Sequence, residues 1–363
     1  MTSRPIKDVD GLVREGLVAP KDAAALTTVA ERFQIGVSGH LVGRLRREGL
    51  RRQFVPDPRE LVIAPEELED PIGDAAYSPT PGIVHRYPDR ALLMPTTLCA
   101  VYCRFCFRRE VVGDPAHTLD DAALARALAY LAARREIWEV ILTGGDPLVL
   151  SPRRLGRIVA ALAEIDHVQT LRIHSRVPVT NPERITPALL TALRGRLPVT
   201  VVIHTNHVDE LSVEARAACA RLVDAGVPLR SQTVLLRGVN DSVAALEALM
   251  RGLVASRVMP YYLHLLDRAR GTSHFRVPIE VAQRLVRELR GRVSGLCQPT
   301  LVLDIPGGHG KVPVGPAYLE GRTGRYTVTD VRGQTHAYVE SGAGAVESAV
   351  DAALPSTGSR RGG

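Results

Sequence analysis

Leu98-Cys-Ala-Val-Tyr-Cys-Arg-Phe-Cys-Phe-Arg108 brings three thiols, Cys99, Cys103 and Cys106, into one short loop. A loop this compact can present three thiolates to one inorganic cluster. Four cysteines would complete a four-iron cluster, so three leave one iron open to chelate a ligand's amino and carboxylate groups. A structural zinc site wants four ligands, and no fourth cysteine or neighbouring histidine stands close in sequence. Chance is the weaker reading again, since the loop holds three of the chain's 5 cysteines.

Around this loop the sequence alternates. Strand-like apolar runs occur at 91–97, 139–143, 170–175, 199–205, 229–236, 261–266 and 300–305. Helix-like stretches separate them at 118–136, 152–165, 187–194, 208–225, 242–254 and 278–293. Serial β–α units imply a parallel sheet, either an open wound sheet or a barrel. In both, ligands sit at the carboxyl ends of the strands. Gly144–Asp146, His204–His207 and Asp267 all follow strand-like runs, which favours one shared site. Residues 1 to about 80 read as helical and irregular, with helical spacing over 21–33 and 42–51.

The 363 residues are 45% hydrophobic and 23% charged, as expected of a globular enzyme. No apolar run is long enough to span a bilayer, and the first ten residues hold no signal core, so a cytoplasmic protein without membrane partners is expected. The net charge is +7, but the basic residues are scattered and aromatics make up only 4%. That argues against nucleic acid and for a basic enzyme with affinity for anions. The odd number of cysteines argues against a disulfide framework, and Cys219 and Cys297 read as structural. Lysine is scarce: only Lys7, Lys21 and Lys311 occur among 46 basic residues. A lysine kept late in such a chain invites a chemical explanation, because an amine can do what a guanidinium cannot.

The cysteine triplet, with an aromatic just before its third member, resembles the radical S-adenosylmethionine superfamily. Thr143-Gly-Gly-Asp146 in the next β–α unit supports the likeness. The resemblance implies a partial (β/α)6 barrel of the radical S-adenosylmethionine type. Residues 1–80 would form a helical N-terminal extension and 81–316 the barrel. Residues 317–363 would be a C-terminal extension, disordered from about 341. It also implies a [4Fe–4S] cluster on Cys99, Cys103 and Cys106. The backbone and acid of Gly144, Gly145 and Asp146 would take up the methionine ammonium of S-adenosylmethionine, with His204 nearby.

Over about residues 75 to 316 the chain resembles lysine 2,3-aminomutase. The matching segments are His85-Arg-Tyr-Pro-Asp-Arg90, the cysteine loop with Arg108, Ile203-His-Thr-Asn-His207, and Gln232-Thr-Val-Leu-Leu-Arg-Gly-Val-Asn-Asp241. Pro260-Tyr-Tyr262 with Asp267 and Asp304-Ile-Pro-Gly-Gly-His-Gly-Lys311 complete the set. By that resemblance Lys311 forms an imine with pyridoxal 5′-phosphate, a task that requires a primary amine. Arg86 and Arg90 would hold the cofactor phosphate, Arg108 the substrate carboxylate, and Asp267 and Asp304 the distal ammonium of L-lysine. The implied reaction splits S-adenosylmethionine into methionine and a 5′-deoxyadenosyl radical. The α-nitrogen then moves to carbon 3, giving β-lysine. A reduced flavodoxin or ferredoxin is the expected electron donor, and a homo-oligomer is possible.

Long members of the family carry C-terminal zinc cysteines and one at the position of Ser242. Their absence here implies no zinc. It places the chain nearer the short branch, which includes the enzymes supplying β-lysine for elongation factor P, although Asp304–Lys311 looks more like the long members. The alternatives are an aminomutase for another amino acid, with arginine closer than glutamate, and a non-catalytic relative that binds these cofactors.

Overall fold

The structure, a computed structural model, describes residues 4–340. The chain divides into two compact units, the first ending at Val314 and the second beginning at Gly315. The tail expected to be disordered from about 341 lies outside the described residues. Among the described residues no helix is long and apolar enough to cross a membrane.

The first unit is built on a 9-stranded sheet in sequential order. Its edge strand β1 (Ile83–Tyr87) runs antiparallel to β2 (Arg90–Thr96). Six further strands extend the sheet in parallel: β3 (Glu139–Gly144), β4 (Thr170–Ser175), β5 (Val199–His204), β6 (Leu229–Val234), β7 (Val258–His264) and β8 (Thr300–Asp304). The short strand β9 (Lys311–Pro313) returns antiparallel to β8 and closes the order. A helix-bearing crossover joins each parallel strand to the next, the partial barrel of the radical S-adenosylmethionine type.

Strand alternation divides the side chains between two surfaces. Leu171 and Ile173 of β4, and Val199, Val201 and Ile203 of β5, enter the apolar layer under the helices. Arg172, His174 and His204, of the opposite parity, face the inside of the sheet. The helices cover the sheet with one stripe. In Pro152–Ala163 the buried residues are Leu155, Ile158, Val159 and Leu162, and Ser151 caps the start by accepting from the Arg154 amide at 3.2 Å.

Residues 4–80 contribute a second apolar cluster, with Leu12, Leu41, Leu45, Leu50 and Phe54 at its centre. Val101 of the cysteine loop is buried in that same cluster, so this segment forms a bed for the loop. The helical spacing over 42–51 does not give one helix. Helices Gly39–Val42 and Glu48–Phe54 flank a turn that begins at Gly43. The run 208–225 likewise splits: a single 3-10 turn precedes helix Val213–Asp224, which Ser212 caps.

The second unit is an antiparallel meander of β10 (Leu319–Arg322), β11 (Arg325–Thr329) and β12 (Thr335–Val339). Thr323 and Gly324, both at positive φ, make the tight β10–β11 turn.

Candidate active site

Every site residue singled out from the sequence lines one cavity of about 750 Å³. Cys99, Cys103 and Cys106 enter it from the loop after β2, and Gly144, Gly145 and Asp146 from the end of β3. His204 ends β5, Asp267 follows β7, and Asp304 and Lys311 bound the β8–β9 turn. Arg86, Arg90 and Arg108 complete the lining. The carboxyl ends of distant strands thus supply one site, as parallel sheets do.

All five cysteines are free. Burial pushes the three loop thiols up, Cys106 to about 11. Arg176 opposes this at Cys103, donating Nη1 to its Sγ at 2.7 Å. Among the described residues no three His, Cys, Asp or Glu side chains converge as around a single metal ion. A cluster of several irons takes one thiolate per iron, so its ligands stand further apart than that. The loop is anchored from behind: Arg104, between Cys103 and Cys106, donates Nε and Nη2 to Glu60 at 2.9 and 2.6 Å. Arg109 donates to the same buried carboxylate.

The glycines at the end of β3 are there for close approach. Gly144 has φ +101°, and a Cβ on Gly145 would collide with the Leu98 carbonyl at the start of the cysteine loop. Asp146 departs from its expected part. Oδ1 accepts from Ser175 Oγ at 2.7 Å and the Leu148 amide at 3.0 Å; Oδ2 accepts from the Arg176 and Val177 amides at 2.6 and 3.1 Å. Its carboxylate ties β3 to the segment after β4, and only the backbone of this turn is left for an ammonium.

The three arginines also have protein partners. Arg86 Nη2 and Arg108 Nη2 meet the two oxygens of Asp74 at 2.9 and 2.7 Å. Arg90 donates to Asp89 at 2.7 Å and lies 3.7 Å above the Tyr87 ring. Asp74 had no sequence signal, because its partners lie 12 and 34 residues away.

Lys311 Nζ donates to Asp304 and stands 3.2 Å from His264 Nδ1. Asp304 and Lys311, given separate tasks in the sequence reading, are therefore direct neighbours, paired across β8 and β9. Burial alone would raise Asp304, but the His264 hydrogen bond and the Lys311 charge hold it down to about 2. Asp267 is pushed up to about 7 by burial and by the Asp304 charge. Burial and the Arg176 charge lower His204 to about 3, and burial and Arg172 drop His174 well below the usual histidine value, so both are neutral. His174 and His264 were not singled out from the sequence, although His264 lies between the matching Pro260-Tyr-Tyr262 and Asp267 and ends a strand.

The lining fits polar, anionic guests. Among the described residues, Arg86 Nε and the Nε2 atoms of His174, His204 and His264 are buried without a protein partner. Buried polar atoms are rarely left so, and these offer hydrogen bonds to a phosphate or to hydroxyls. Free thiols, a glycine turn and a lysine share the same cavity. The donor set therefore suits a cluster, S-adenosylmethionine and pyridoxal phosphate together.

Comparison with known proteins agrees with this geometry. Residues 93–249 match the radical SAM superfamily, and residues 286–352 match the family described as lysine-2,3-aminomutase. The chain is 44% identical over 270 residues to an L-lysine 2,3-aminomutase of Clostridium subterminale, covering 74% of this chain and 65% of that protein. An L-lysine 2,3-aminomutase of Acetoanaerobium sticklandii is 38% identical, with 86% and 77% covered. A glutamate 2,3-aminomutase of Clostridioides difficile is 34% identical, with 87% and 76% covered. The chain thus spans just under two thirds of the Clostridium subterminale protein's length.

Proposed function

Because the chain belongs to the lysine 2,3-aminomutase family of the radical SAM superfamily, we propose that it converts L-lysine to β-lysine by a radical 1,2-amino shift. The observation that carries the substrate is the pair of carboxylates, Asp267 and Asp304, in a cavity that also holds Arg108. Lysine offers a carboxylate for the arginine and an ammonium for the acids.

The family's cofactors are a [4Fe–4S] cluster, S-adenosylmethionine and pyridoxal phosphate. Bound there, the cluster supplies the electron that splits S-adenosylmethionine, and pyridoxal phosphate supplies the aldehyde and conjugated ring that carry the nitrogen. Cys99, Cys103 and Cys106 would hold the cluster. The Gly144–Asp146 backbone and His204 would meet S-adenosylmethionine. Arg86 and Arg90 would hold the cofactor phosphate, and Lys311 would link to its aldehyde. Arg108 keeps Nη1 for a substrate carboxylate while Asp74 occupies its Nε and Nη2. Phe105, Leu266 and Val302 line the same cavity and limit access of water to the reacting atoms. A reduced flavodoxin or ferredoxin in the cytoplasm is part of the reading, which the five unpaired thiols support.

Glutamate is the substrate named for one relative, but once Lys311, the cation beside Asp304, is committed to the cofactor, the two acids would repel its side-chain carboxylate. Arginine is the closer competitor, limited by its length and planar head. The test is anaerobic incubation with dithionite, S-adenosylmethionine and lysine, arginine, glutamate or norleucine, followed by mass spectrometry. β-Lysine as the main product is expected. Preferential formation of β-glutamate, or no turnover of lysine by cluster-loaded protein, overturns the proposal.

A further inference from the structure

His264 stands beside the Lys311 amine, and the proposed function leaves it without a task. It ends β7 with its side chain buried. Its Nδ1 stands 3.2 Å from Lys311 Nζ and 3.1 Å from Asp304 Oδ2, and Lys311 donates to that same oxygen. The sheet builds this triangle. Asp304 and Lys311 are cross-strand partners, and His264 pairs in register with Val302, two residues before Asp304 on β8. Val302 and Asp304 share a face of β8, so the imidazole lies diagonal to the carboxylate.

We propose that His264 is the proton acceptor that makes Lys311 a nucleophile, with Asp304 holding the imidazolium that results. The inference rests on the reading that Lys311 captures the aldehyde of pyridoxal phosphate. An ammonium has no electron pair to give, so one N–H bond of Lys311 must break before a C–N bond forms. Nδ1 takes that proton, and the pair left on Nζ bonds to the aldehyde carbon. Of the three ammonium protons, two leave with the carbonyl oxygen as water, each passed by way of Nδ1. The third stays on the linked nitrogen, so atoms and charge balance without another reactant.

The surroundings suit that task. Burial holds His264 below the ordinary histidine value, against the Asp304 charge, so the ring is neutral; with its proton on Nε2, Nδ1 carries the lone pair that accepts from Lys311, and it donates to Asp304 once protonated. Asp304, held down to about 2, is a far weaker base. The other groups around the ring do not compete. Tyr262 packs edge-on at 5.5 Å and is pushed up to about 12 by burial and its Tyr261 contact. His174 and His204, on β4 and β5, are neutral for the reasons above, and the Arg108 charge lowers both further. Asp267 lies just beyond β7 and is sensitive to the same Asp304 and Lys311 charges.

The test follows capture of pyridoxal phosphate by the full chain with its cluster assembled, by absorbance from about pH 9 down to the lowest pH at which the protein stays folded, below the ordinary histidine value. Borohydride reduction and peptide mass mapping then locate the tag. General base catalysis contributes about 10²–10⁴-fold, so His264→Gln should capture roughly 100-fold more slowly, with the final extent of tagging unchanged. His264→Ala should be equally slow and should recover with added imidazole. Wild-type capture should slow toward acid as His264 gains its proton, and His264→Gln should lack that limb. A purely structural histidine would be rescued by glutamine instead. Wild-type rates in His264→Gln at every pH overturn the proposal while leaving Lys311 in place. A wild-type tag elsewhere than Lys311 overturns this inference and the functional reading together.

Discussion

Arg108 grips Asp74 with two nitrogens on one carboxylate oxygen, Nε at 3.1 Å and Nη2 at 2.7 Å. The other Asp74 oxygen accepts from Arg86 at 2.9 Å. One acid from the segment before β1 therefore orients two arginines that we propose bind different anions. Its position depends on Gly73 (φ +69°), where a Cβ would collide with the Gly307–Gly308 backbone. Charge-assisted hydrogen bonds contribute about 1.5–3 kcal/mol. Asp74→Asn should therefore raise the lysine KM and the pyridoxal phosphate Kd together, by about tenfold or more. An unchanged lysine KM would show that Arg108 does not need this partner.

Glu60 is the buried counter-ion of the cysteine loop. Arg104 and Glu60 have side chains 2% and 0% exposed, and Arg109 shares the carboxylate. Removing one partner of such a pair costs about 3–5 kcal/mol. Glu60→Gln should lower the thermal midpoint by several degrees and reduce iron loading, because Arg104 sits between two of the cluster cysteines. Calorimetry beside iron analysis checks both halves.

Replacing Cys99, Cys103 or Cys106 by Ala should abolish iron retention and S-adenosylmethionine cleavage. Cys219 and Cys297 are buried among apolar side chains. Alanine at either should cost only the small cavity it leaves, on the order of 1 kcal/mol, and should keep cleavage. Full cleavage in Cys103→Ala would end the cluster assignment.

Lys311→Arg keeps a cation beside Asp304 but cannot form a covalent link to an aldehyde. Pyridoxal absorbance, borohydride tagging and amino migration should all vanish. A tag that persists in this variant, on Lys7 or Lys21, would move the cofactor site.

Asp267 sets a pH dependence. Its carboxyl is pushed up to about 7, by burial and by Asp304, and must ionise to pair with an ammonium. Lysine affinity should therefore be high above pH 7 and weaken as pH falls through that value. In Asp267→Asn the KM should be higher and nearly flat with pH. Asp304→Asn should also raise the lysine KM steeply, although part of that effect will come through Lys311. Equal turnover of lysine and norleucine would show that neither acid selects the substrate.

Much of the barrel could be read from the chain, because short strand-like runs with an apolar face alternate with helix-length stretches. The edges could not. β1 and β9 are short; β1 runs into the His85–Arg90 segment and β9 follows the Gly307–Gly310 turn, where no periodicity survives. The break after Val42 was missed because apolar spacing continues through Gly43. In the site, residue identity found the groups but not their partners. Asp146 looked like a ligand-binding acid until four donors from Leu148, Ser175, Arg176 and Val177 were seen to surround it. The Asp304–Lys311 contact follows from a register that only the β8–β9 turn determines. His264, between Tyr262 and Asp267, carries no signal of its own, because a lone histidine says nothing of the lysine 47 residues away.

The nine strands run in one order from β1 to β9 without those two pairing, yet the Tyr87 hydroxyl on β1 accepts from the Lys311 amide on β9 at 2.7 Å. One side chain thus spans the open rim of an unfinished cylinder, beside the close packing of Gly73 on the Gly307–Gly308 backbone, and it does so at the residue proposed to bear the reactive amine. Any breathing motion that parts the two rims must either break that fastening or drag the amine along. Aperture and alignment are therefore linked through that bond, so a guest that spreads the rim bears on the backbone of the lysine in the act of entering.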